Sequence, residues 1–404
     1  MQELFETSNK LIRSVRHDYH RFLYKQIDWE GRLIEIYGPR GVGKTTLMLQ
    51  KAGELNNRIP GQSLYVTLDD IYFYTHHILE AADGFVKYGG KYLFLDEVHR
   101  YPAKYPTHDW SAEIKNIYDK FPELHVVYSG SSVLKLFKGH GDLSRRKIAW
   151  HLPGLSFREF LVFNGVNGLP SLTLDDVLDH HVEAAEKILG KVKVYRWFEE
   201  YLKIGYYPFY RESPDHYFNR LKDIITVIIE NDIPAVTDIP YDTSVKLKKL
   251  LAVIAGSVPY TPNLTRIGLD LHVADQRTLL KYLNFLDKAE LISILSREGK
   301  GRQLLKKPDK LYLDNTNLLY CFTPHPETGM VRETFFLNQT RLDLQVTFPG
   351  AGDFLLNGKQ LFEIGGKNKD RRKLTRQPEA YLALDGIETG YGRTIPLWMF
   401  GFLY

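Results

Sequence analysis

The chain has 404 residues, enough for two or three domains, and its hydrophobic share of 44% is ample for packed cores. The net charge of +4 and a sequence pI near 8.7 permit a basic patch without requiring a nucleic-acid partner. The single cysteine, Cys321, excludes an intramolecular disulfide, and no apolar run reaches the length of a membrane span. We therefore expect a cytoplasmic protein without a membrane partner.

The first predicted elements are a helix within residues 8–28, a strand at Arg32–Tyr37 and a glycine-rich loop that leads into a second helix. Glycines let backbone N–H groups turn inward, toward the oxygens of a phosphate. The loop fits the pattern G-x-x-x-x-G-K-T, and its residues are Gly38, Pro39, Arg40, Gly41, Val42, Gly43, Lys44, Thr45 and Thr46. The strand–loop–helix setting predicts a nucleotide-binding loop, with a structural glycine turn as the alternative.

Lys44 and Thr45 are the reactive residues of this loop. The Lys44 ammonium is expected to reach the β- and γ-phosphates, and the Thr45 hydroxyl to ligate Mg²⁺. The N-terminus of the following helix adds a partial positive charge. ATP and Mg²⁺ are the ligands that the loop predicts.

After a second predicted strand at Ser63–Asp70, an apolar run at Lys91–Leu95 ends in Asp96 and Glu97. A run that is apolar on both faces is typical of a buried parallel strand. We expect Asp96 to hold Mg²⁺, directly or through water, and Glu97 to orient and deprotonate the water that attacks the γ-phosphorus. This pair favours hydrolysis over transfer to a small molecule; the alternative is an exposed acidic strand end.

The next predicted strand, Leu124–Tyr128, is followed by Ser129. Ligands lie at the C-terminal ends of parallel strands, so Ser129 is a candidate sensor of the γ-phosphate, or else an ordinary turn serine. Arg145 and Arg146 precede a short strand at Lys147–Leu152. One of them is a candidate arginine finger that stabilises transition-state charge, from the same chain or a neighbouring subunit. The alternative is an exposed basic pair.

The phosphate loop and three later runs together resemble a family of prokaryotic AAA-type ATPases. The runs are Leu93–His99 (LFLDEVH), Ser129–Ser132 (SGSS) and Leu155–Leu161 (LSFREFL). This family pairs an N-terminal ATPase module with a C-terminal domain of unknown function built on a restriction-endonuclease-like core. The resemblance extends from about Leu11 to about Asp370 and implies that fold for most of the chain.

The resemblance also implies two details of the site. It places the Ser129 strand between the phosphate-loop strand and the Asp96 strand. By its distance from the LSFREFL run, Arg146 matches the finger arginine of the family, although Arg145 stands where the family usually has glycine. A finger that acts on another chain would require a homo-oligomer.

Residues 166–315 are predicted to form a helical and winged-helix-like connector, which begins after a loop at Gly165–Pro170. Helices are predicted at Leu172–Leu189, Val194–Ile204, Tyr217–Glu230, Val245–Ile254 and Leu264–Leu269, and from about Asp275. The strands Ile292–Leu295 and Lys310–Leu313 are expected to pair as a wing. This wing either grips DNA or RNA phosphates or serves as a lid or docking face, and its basic residues are Arg297, Lys300, Arg302, Lys306 and Lys307.

Residues 316–404 are predicted to form an α/β domain with a degenerate nuclease-like core. A helix from Arg332, a hairpin of Gly352–Leu355 with Lys359–Ile364, and a final strand at Leu397–Leu403 are expected. The candidate second Mg²⁺ site is the acidic set Glu333, Asp353 and Glu363, which is similar to the D…E-x-K nuclease core.

This candidate nuclease core departs from its pattern at one position. Gly365 stands where the pattern has lysine, and Lys367 lies roughly 7 Å farther along the strand, so we expect no nuclease activity. The nearby basic run binds nucleic acid or is a solvated loop, and its residues are Lys367, Lys369, Arg371, Arg372, Lys373 and Arg376.

The sequence therefore predicts an α/β protein with an AAA-type P-loop ATPase domain at residues 1–165, the connector at 166–315 and the nuclease-like domain at 316–404. Its expected function is Mg²⁺-dependent ATP hydrolysis that drives a conformational switch or motor, on or near nucleic acid. Two alternatives stay open. One is a nucleic-acid-processing enzyme whose active nuclease is gated by ATP, and the other is a switch that changes protein partners on binding ATP with little turnover.

Overall fold

The computed structural model describes residues 1–102, 109–136, 142–237, 239–297, 307–369 and 379–404. The chain forms two compact units. The first contains Met1–Pro153 and Val227–Pro240, and the second contains Gly154–Thr226 and Tyr241–Tyr404. This division differs from the three consecutive domains predicted from the sequence, because a segment assigned to the connector belongs to the first unit. None of the helices in the described part of the chain is long and apolar enough to cross a bilayer.

The first unit is built on a five-stranded sheet in which every pairing is parallel. Its strands lie in the order β2-β3-β4-β1-β5. Because β4 lies between β1 and β3, the predicted strand order and the α/β P-loop NTPase fold are confirmed. The bounds are β1 Leu33–Gly38, β2 Ser63–Thr67, β3 Tyr92–Asp96, β4 His125–Ser131 and β5 Ile148–His151.

Nearly every residue of the central strands β1, β3 and β4 is buried, as expected for a parallel sheet covered by helices. Helix α1 turns Leu4, Ser8 and Ile12 inward, at the four-residue spacing of one helix face. The helix predicted within residues 8–28 is instead divided into α1 and the short α2. Numbered along the chain, the helices of this unit are α1 Gln2–Ser14, α2 Leu23–Gln26, α3 Lys44–Arg58, α4 Ile78–Lys87, α5 Trp110–Lys120 and, in the later segment, α11 Ile233–Thr237.

Short helical turns complete the first unit. Two of them matter for the site, the 3₁₀ turn Val98–Arg100 after β3 and the π-helix Ile228–Asp232 ahead of α11. A π-helix is rare and often marks a functional position, since its wider turn displaces side chains from the regular helical track. The remaining 3₁₀ turns are Ile71–Tyr74 and Ser132–Leu136.

The second unit opens with helices and continues into a hairpin and a mixed sheet. The hairpin pairs β6 with β7 antiparallel, where the sequence predicts the wing strands. Its helices are α6 Phe157–Phe163, α7 Leu174–Asp179, α8 His181–Leu189, α9 Val194–Ile204, α10 Tyr217–Val227, α12 Tyr241–Ala255, α13 Leu264–Leu271, α14 Gln276–Lys288, α15 Thr316–Phe322 and α16 Thr328–Thr340. The hairpin strands are β6 Ile292–Leu295 and β7 Lys310–Leu313.

The mixed sheet has five strands in the order β12-β11-β10-β9-β8. Strands β9 and β10 pair antiparallel as the predicted hairpin, whereas β10, β11 and β12 run parallel. The predicted final strand is wrong, because Leu397–Phe402 forms a buried 3₁₀ helix. The strands are β8 Val346–Thr347, β9 Phe354–Leu356, β10 Gln360–Gly366, β11 Ala380–Asp385 and β12 Thr394–Pro396.

The LSFREFL run begins helix α6 and anchors the second unit. Ser156 is its N-cap: the hydroxyl oxygen accepts from the Glu159 backbone N–H at 3.1 Å, and the hydroxyl donates to the Tyr404 backbone oxygen at 2.7 Å. The Glu159 carboxylate in turn accepts from the Ser156 N–H at 3.5 Å. Phe157 and Phe160 are fully buried beside this cap. The run is thus accounted for by capping and packing.

We predict that Ser156→Ala lowers the free energy of unfolding by about 2 kcal/mol, because it removes a helix cap and one of the donors to the Tyr404 backbone oxygen, which Arg158 Nε also contacts at 3.0 Å. The matched control is Thr173→Ala, which removes the same kind of capping box from α7, where the cap is solvent-exposed. Denaturant unfolding of both variants is the measurement. Equal losses would show that the buried contact with Tyr404 contributes nothing.

Candidate active site

The glycine-rich loop joins the C-terminal end of β1 to the N-terminal end of α3, as predicted. Two of its glycines, Gly41 and Gly43, have φ angles of 86° and 97°, which only glycine adopts without strain. Gly38 is required for a different reason: a Cβ at this position would lie 2.1 Å from the Leu152 carbonyl oxygen. The loop residues Gly38 to Thr46 therefore form a compact cradle fixed by backbone geometry.

Lys44 is buried within this cradle. Its Nζ donates to the carbonyl oxygens of Gly38 and Pro39, both at 2.9 Å. Burial lowers the pKa of the Lys44 ammonium, and the charges of Glu97 and Asp96 oppose that shift. Two carboxylates near the ammonium mean that Lys44 lies close to the other predicted site residues.

Asp96 is the hydrogen-bond acceptor around which the site is assembled. Its Oδ2 accepts from the Thr45 hydroxyl and from the Tyr65 hydroxyl, each at 2.6 Å. Its Oδ1 accepts from the Ser129 hydroxyl and from the Glu97 backbone N–H, the latter at 3.0 Å. Strands β2, β3 and β4 and helix α3 each contribute one of these side chains. The structure thus brings Thr45, Asp96 and Ser129 together, as the sequence predicts.

The oxygens of Thr45 and Asp96 fit the chemistry of Mg²⁺, which takes hydroxyl and carboxylate oxygens as ligands. Tyr65, in contrast, is a site residue that sequence reasoning missed. Burial, and then the charge of Asp96, raise the pKa of the Tyr65 hydroxyl, so it remains a donor to Asp96. Its only signal in the sequence is a tyrosine in a strand beside the Asp96 strand.

Glu97 lies directly after β3 in the left-handed region, with a φ angle of 52°. A non-glycine residue held there costs roughly 1–3 kcal/mol, and such strain is concentrated at functional positions. Its side chain is 17% exposed, and Oε2 lies 3.4 Å from Arg40 Nη1, 3.8 Å from Arg100 Nε and 3.7 Å from His99 Nε2. The candidate base is therefore reachable by water and lies beside two guanidinium groups and an imidazole.

Asp232 is a second residue that sequence reasoning missed. Its side chain is fully buried, and both carboxylate oxygens accept from Arg40 Nη1 at 3.2 Å. Arg100 Nη2 donates to Oδ1 at 3.4 Å, and His99 Nε2 lies 3.6 Å from the same oxygen. Burial alone would raise the pKa of Asp232, but His99, Arg40 and Arg100 outweigh it and the pKa is lowered. No motif marks this residue, which is 192 positions from Arg40.

Arg145 and Arg146 lie near the N-terminal ends of the strands, whereas the phosphate loop follows the C-terminal end of β1. They precede β5, whose residue Ile148 pairs with Ile34 near the start of β1. The length of β1 separates this end of the sheet from Gly38 by roughly 17 Å. Within one chain, neither arginine is brought to the phosphate loop, so a finger role requires a second copy.

The two arginines differ in their surroundings. Arg146 donates to the Asp119 carboxylate at 3.2 Å and 3.3 Å, and 27% of its side chain is exposed. The Arg145 side chain is 88% exposed, with Asp142 3.8 Å away. Arg146 is therefore the more buried and the more closely paired of the two arginines.

The acidic set of the second unit does not form a metal site among the residues that the structure describes. Lys369 Nζ lies 3.4 Å from Asp353 Oδ2 and 3.3 Å from Glu363 Oε2, so an ammonium occupies the space between these carboxylates. Glu333 instead accepts from the Tyr312 hydroxyl at 2.7 Å. The candidate second Mg²⁺ site is thus replaced by ion pairs and a hydrogen bond.

Most of the predicted basic residues of the wing and the C-terminal loop lie outside the described residues, namely Lys300, Arg302, Lys306, Arg371, Arg372, Lys373 and Arg376. Arg297 is described, and its Nε lies 3.4 Å from Asp309. Lys307 is exposed. The nucleic-acid role of these segments stays a prediction.

Comparison with known families defines the class of the first unit. Residues 30–161 match a family model described as AAA domain (AAA_14), and residues 195–328 match a domain of unknown function (DUF8612). The first match covers the glycine-rich loop, the Asp96–Glu97 strand end and Ser129. This part of the chain therefore matches an AAA-type P-loop ATPase domain. A search of curated proteins finds no significant match to this sequence.

Several solved structures are similar to this chain at low sequence identity. The Walker-type ATPase PABY2304 of Pyrococcus abyssi is 14% identical, over 76% of this chain and 97% of that one, with a TM-score of 0.42. The Orc1 protein of Aeropyrum pernix in complex with DNA is 14% identical over 80% and 92%, with a TM-score of 0.30. DnaA of Aquifex aeolicus bound to AMPPCP is 16% identical over 70% and 87%, with a TM-score of 0.25.

We predict that Tyr65→Phe lowers the free energy of unfolding by about 2 kcal/mol, because it removes a donor to a buried carboxylate. The matched control is Tyr92→Phe, which removes a hydroxyl bonded to the exposed Glu30 at 2.9 Å and is expected to cost less. Thermal and denaturant unfolding measure both effects. A Tyr65→Phe protein as stable as wild type would show that Asp96 does not depend on this donor.

Proposed function

We propose that this protein binds ATP together with Mg²⁺, hydrolyses it, and uses the turnover to drive a conformational switch or motor. The observation that carries the proposal is the contact between the Thr45 hydroxyl and the Asp96 carboxylate at 2.6 Å, beside the buried Lys44. These residues come from the phosphate loop and from the end of a neighbouring strand. Their meeting is the arrangement that an Mg²⁺–triphosphate requires.

Within this proposal, the backbone amides of residues 38–46 and the Lys44 ammonium hold the β- and γ-phosphates. Thr45 and Asp96 would hold Mg²⁺, which when bound would neutralise the charge that develops on the phosphate oxygens. Tyr65 and Ser129 orient the Asp96 carboxylate through their hydroxyl groups. Ser129 is in addition the candidate sensor of the γ-phosphate.

Glu97 is the proposed general base. It follows Asp96 directly, so the left-handed turn at Glu97 sends its side chain away from the Asp96 carboxylate toward Arg40 and Arg100. Its partial exposure supports access of water to the carboxylate. Hydrolysis needs a group that positions and deprotonates this water, and Glu97 is the carboxylate beside Lys44 that is not occupied in holding the hydroxyl groups.

Assembly and nucleic acid complete the proposal. Arg146 is the proposed finger, supplied by one copy of the chain to another, because it lies at the end of its own sheet opposite the phosphate loop.

The proposed nucleic-acid surface includes Arg277 and Lys281, which are exposed one turn apart on α14. Each contact that such a cation makes with a backbone phosphate would add to a salt-dependent affinity.

We predict that Glu97→Gln lowers kcat for ATP hydrolysis by about 100-fold or more while ATP affinity changes by less than about threefold, since the base is lost and the phosphate contacts are kept. The contrasting variant Lys44→Ala is expected to lose ATP binding itself. Steady-state hydrolysis with Mg²⁺ and calorimetric titration with ATP measure both.

The same assay tests the rival functions when it is run with and without DNA across a salt series. Stimulation by DNA that fades as salt rises would support phosphate contacts. A wild-type protein that binds ATP without measurable turnover would contradict hydrolysis and favour the partner switch. A protein that retains no ATP in the presence of Mg²⁺ would overturn the proposal as a whole.

We also predict that turnover depends on Arg146 of a second copy. Arg146→Ala is expected to lower kcat by about 100-fold or more because transition-state charge loses its cation. Mixing Arg146→Ala with Glu97→Gln protein should restore turnover, since one copy supplies the base and the other the arginine. Mixtures made with Arg145→Ala compare the two candidates, and a mixture that stays inactive would contradict a finger supplied by another copy.

A further inference from the structure

The phosphate loop is tied to a carboxylate from a distant part of the sequence. Arg40, the third residue of the loop, donates to both oxygens of Asp232 at 3.2 Å. Asp232 ends the π-helix Ile228–Asp232 in the segment Val227–Pro240, which belongs to the first unit although residues of the second unit flank it on both sides. The contact therefore lies wholly within the ATPase unit.

Asp232 and the candidate base compete for the same guanidinium group. Arg40 Nη1 lies 3.4 Å from Glu97 Oε2, in addition to its two bonds with Asp232. In the part of the chain that the structure describes, these two carboxylates are the ones within 4.0 Å of an Arg40 nitrogen. Asp232 makes the stronger ion pair with Arg40, because both of its carboxylate oxygens take part and its side chain is fully buried, whereas 17% of the Glu97 side chain is exposed.

Arg100 is likewise shared between Asp232 and Glu97. Its Nη2 donates to Asp232 Oδ1 at 3.4 Å, while its Nε lies 3.8 Å from Glu97 Oε2. A half-buried guanidinium that loses a carboxylate partner turns to the next one available, because an unpaired charge is costly where water is partly excluded. Without Asp232, that partner for Arg40 and Arg100 is Glu97.

We propose that Asp232 is a positioning residue for ATP hydrolysis: by holding Arg40 and Arg100, it limits the ion pairs that these two residues make with the Glu97 carboxylate. The more tightly two guanidinium groups engage a carboxylate, the poorer an acceptor it is for the proton of an attacking water. Asp232 contacts the phosphate loop through the Arg40 side chain, and it acts on the base only through Arg40 and Arg100. The inference rests on the proposed hydrolysis and adds a residue that acts on Glu97 through Arg40.

The test compares kcat and KM for Mg²⁺–ATP in four proteins: wild type, Asp232→Asn, Arg40→Gln and the double variant. Asp232→Asn is expected to lower kcat by about tenfold or more with KM within about threefold of wild type, since the phosphate contacts are unchanged. In the Arg40→Gln background, the same substitution is expected to change kcat by less than about threefold, because only the more distant Arg100 then remains beside Glu97. Thermal melting and the fraction of protein that binds ATP are measured in parallel.

Comparing the effect of Asp232→Asn on kcat in wild type and in Arg40→Gln separates a positioning role from a structural one. If Asp232 merely supported the fold, Asp232→Asn would lower kcat equally in both backgrounds, and that result would overturn the inference. Unchanged kcat in Asp232→Asn would overturn it as well. If Asp232→Asn does not fold alone, the double variant, which removes both charges of the pair, is compared with Arg40→Gln: equal kcat values support the inference, and a further tenfold loss contradicts it.

The outcome for wild type keeps this inference distinct from the proposed function. Absence of ATP turnover in the wild-type protein would overturn both. Turnover in wild type that does not respond to Asp232→Asn would leave hydrolysis standing and remove only the role of Asp232.

Discussion

The Asp96 carboxylate is the group on which the rest of the candidate site depends. It is buried at the end of a central strand, where an ionised carboxylate needs several donors to offset the loss of water. Thr45, Tyr65, Ser129 and the Glu97 backbone supply them. Satisfying this one charge therefore fixes the phosphate-loop helix, two neighbouring strands and the backbone of the candidate base relative to one another.

The sequence was sufficient for the parts of this site that follow from local pattern. The spacing of glycines around Lys44 defined the loop, and the apolar run before Asp96 placed that carboxylate at the C-terminal end of a buried parallel strand. Ser129 could be placed by the same reasoning, because parallel strands end at one edge. The strand order came from the family resemblance and is confirmed.

The rest of the site depends on contacts that local pattern does not contain. Asp232 reaches Arg40 only because a later segment folds into the first unit, and its helix is irregular at that residue. Tyr65 resembles any strand tyrosine until the register of β2 against β3 is known. Likewise, Lys369 returns to Asp353 and Glu363 through the chain beyond β10, whereas reasoning along the strand pointed to Lys367.

The interrupted course of the first unit also constrains how the molecule is made. The stretch Met1–Pro153 leaves the ribosome well before Val227–Pro240, so for that interval Arg40 and Arg100 have no Asp232 to pair with. Because translation adds roughly 5–20 residues per second, this incomplete state lasts for seconds. The nascent ATPase unit must tolerate it, or be shielded by a chaperone, until its last segment emerges.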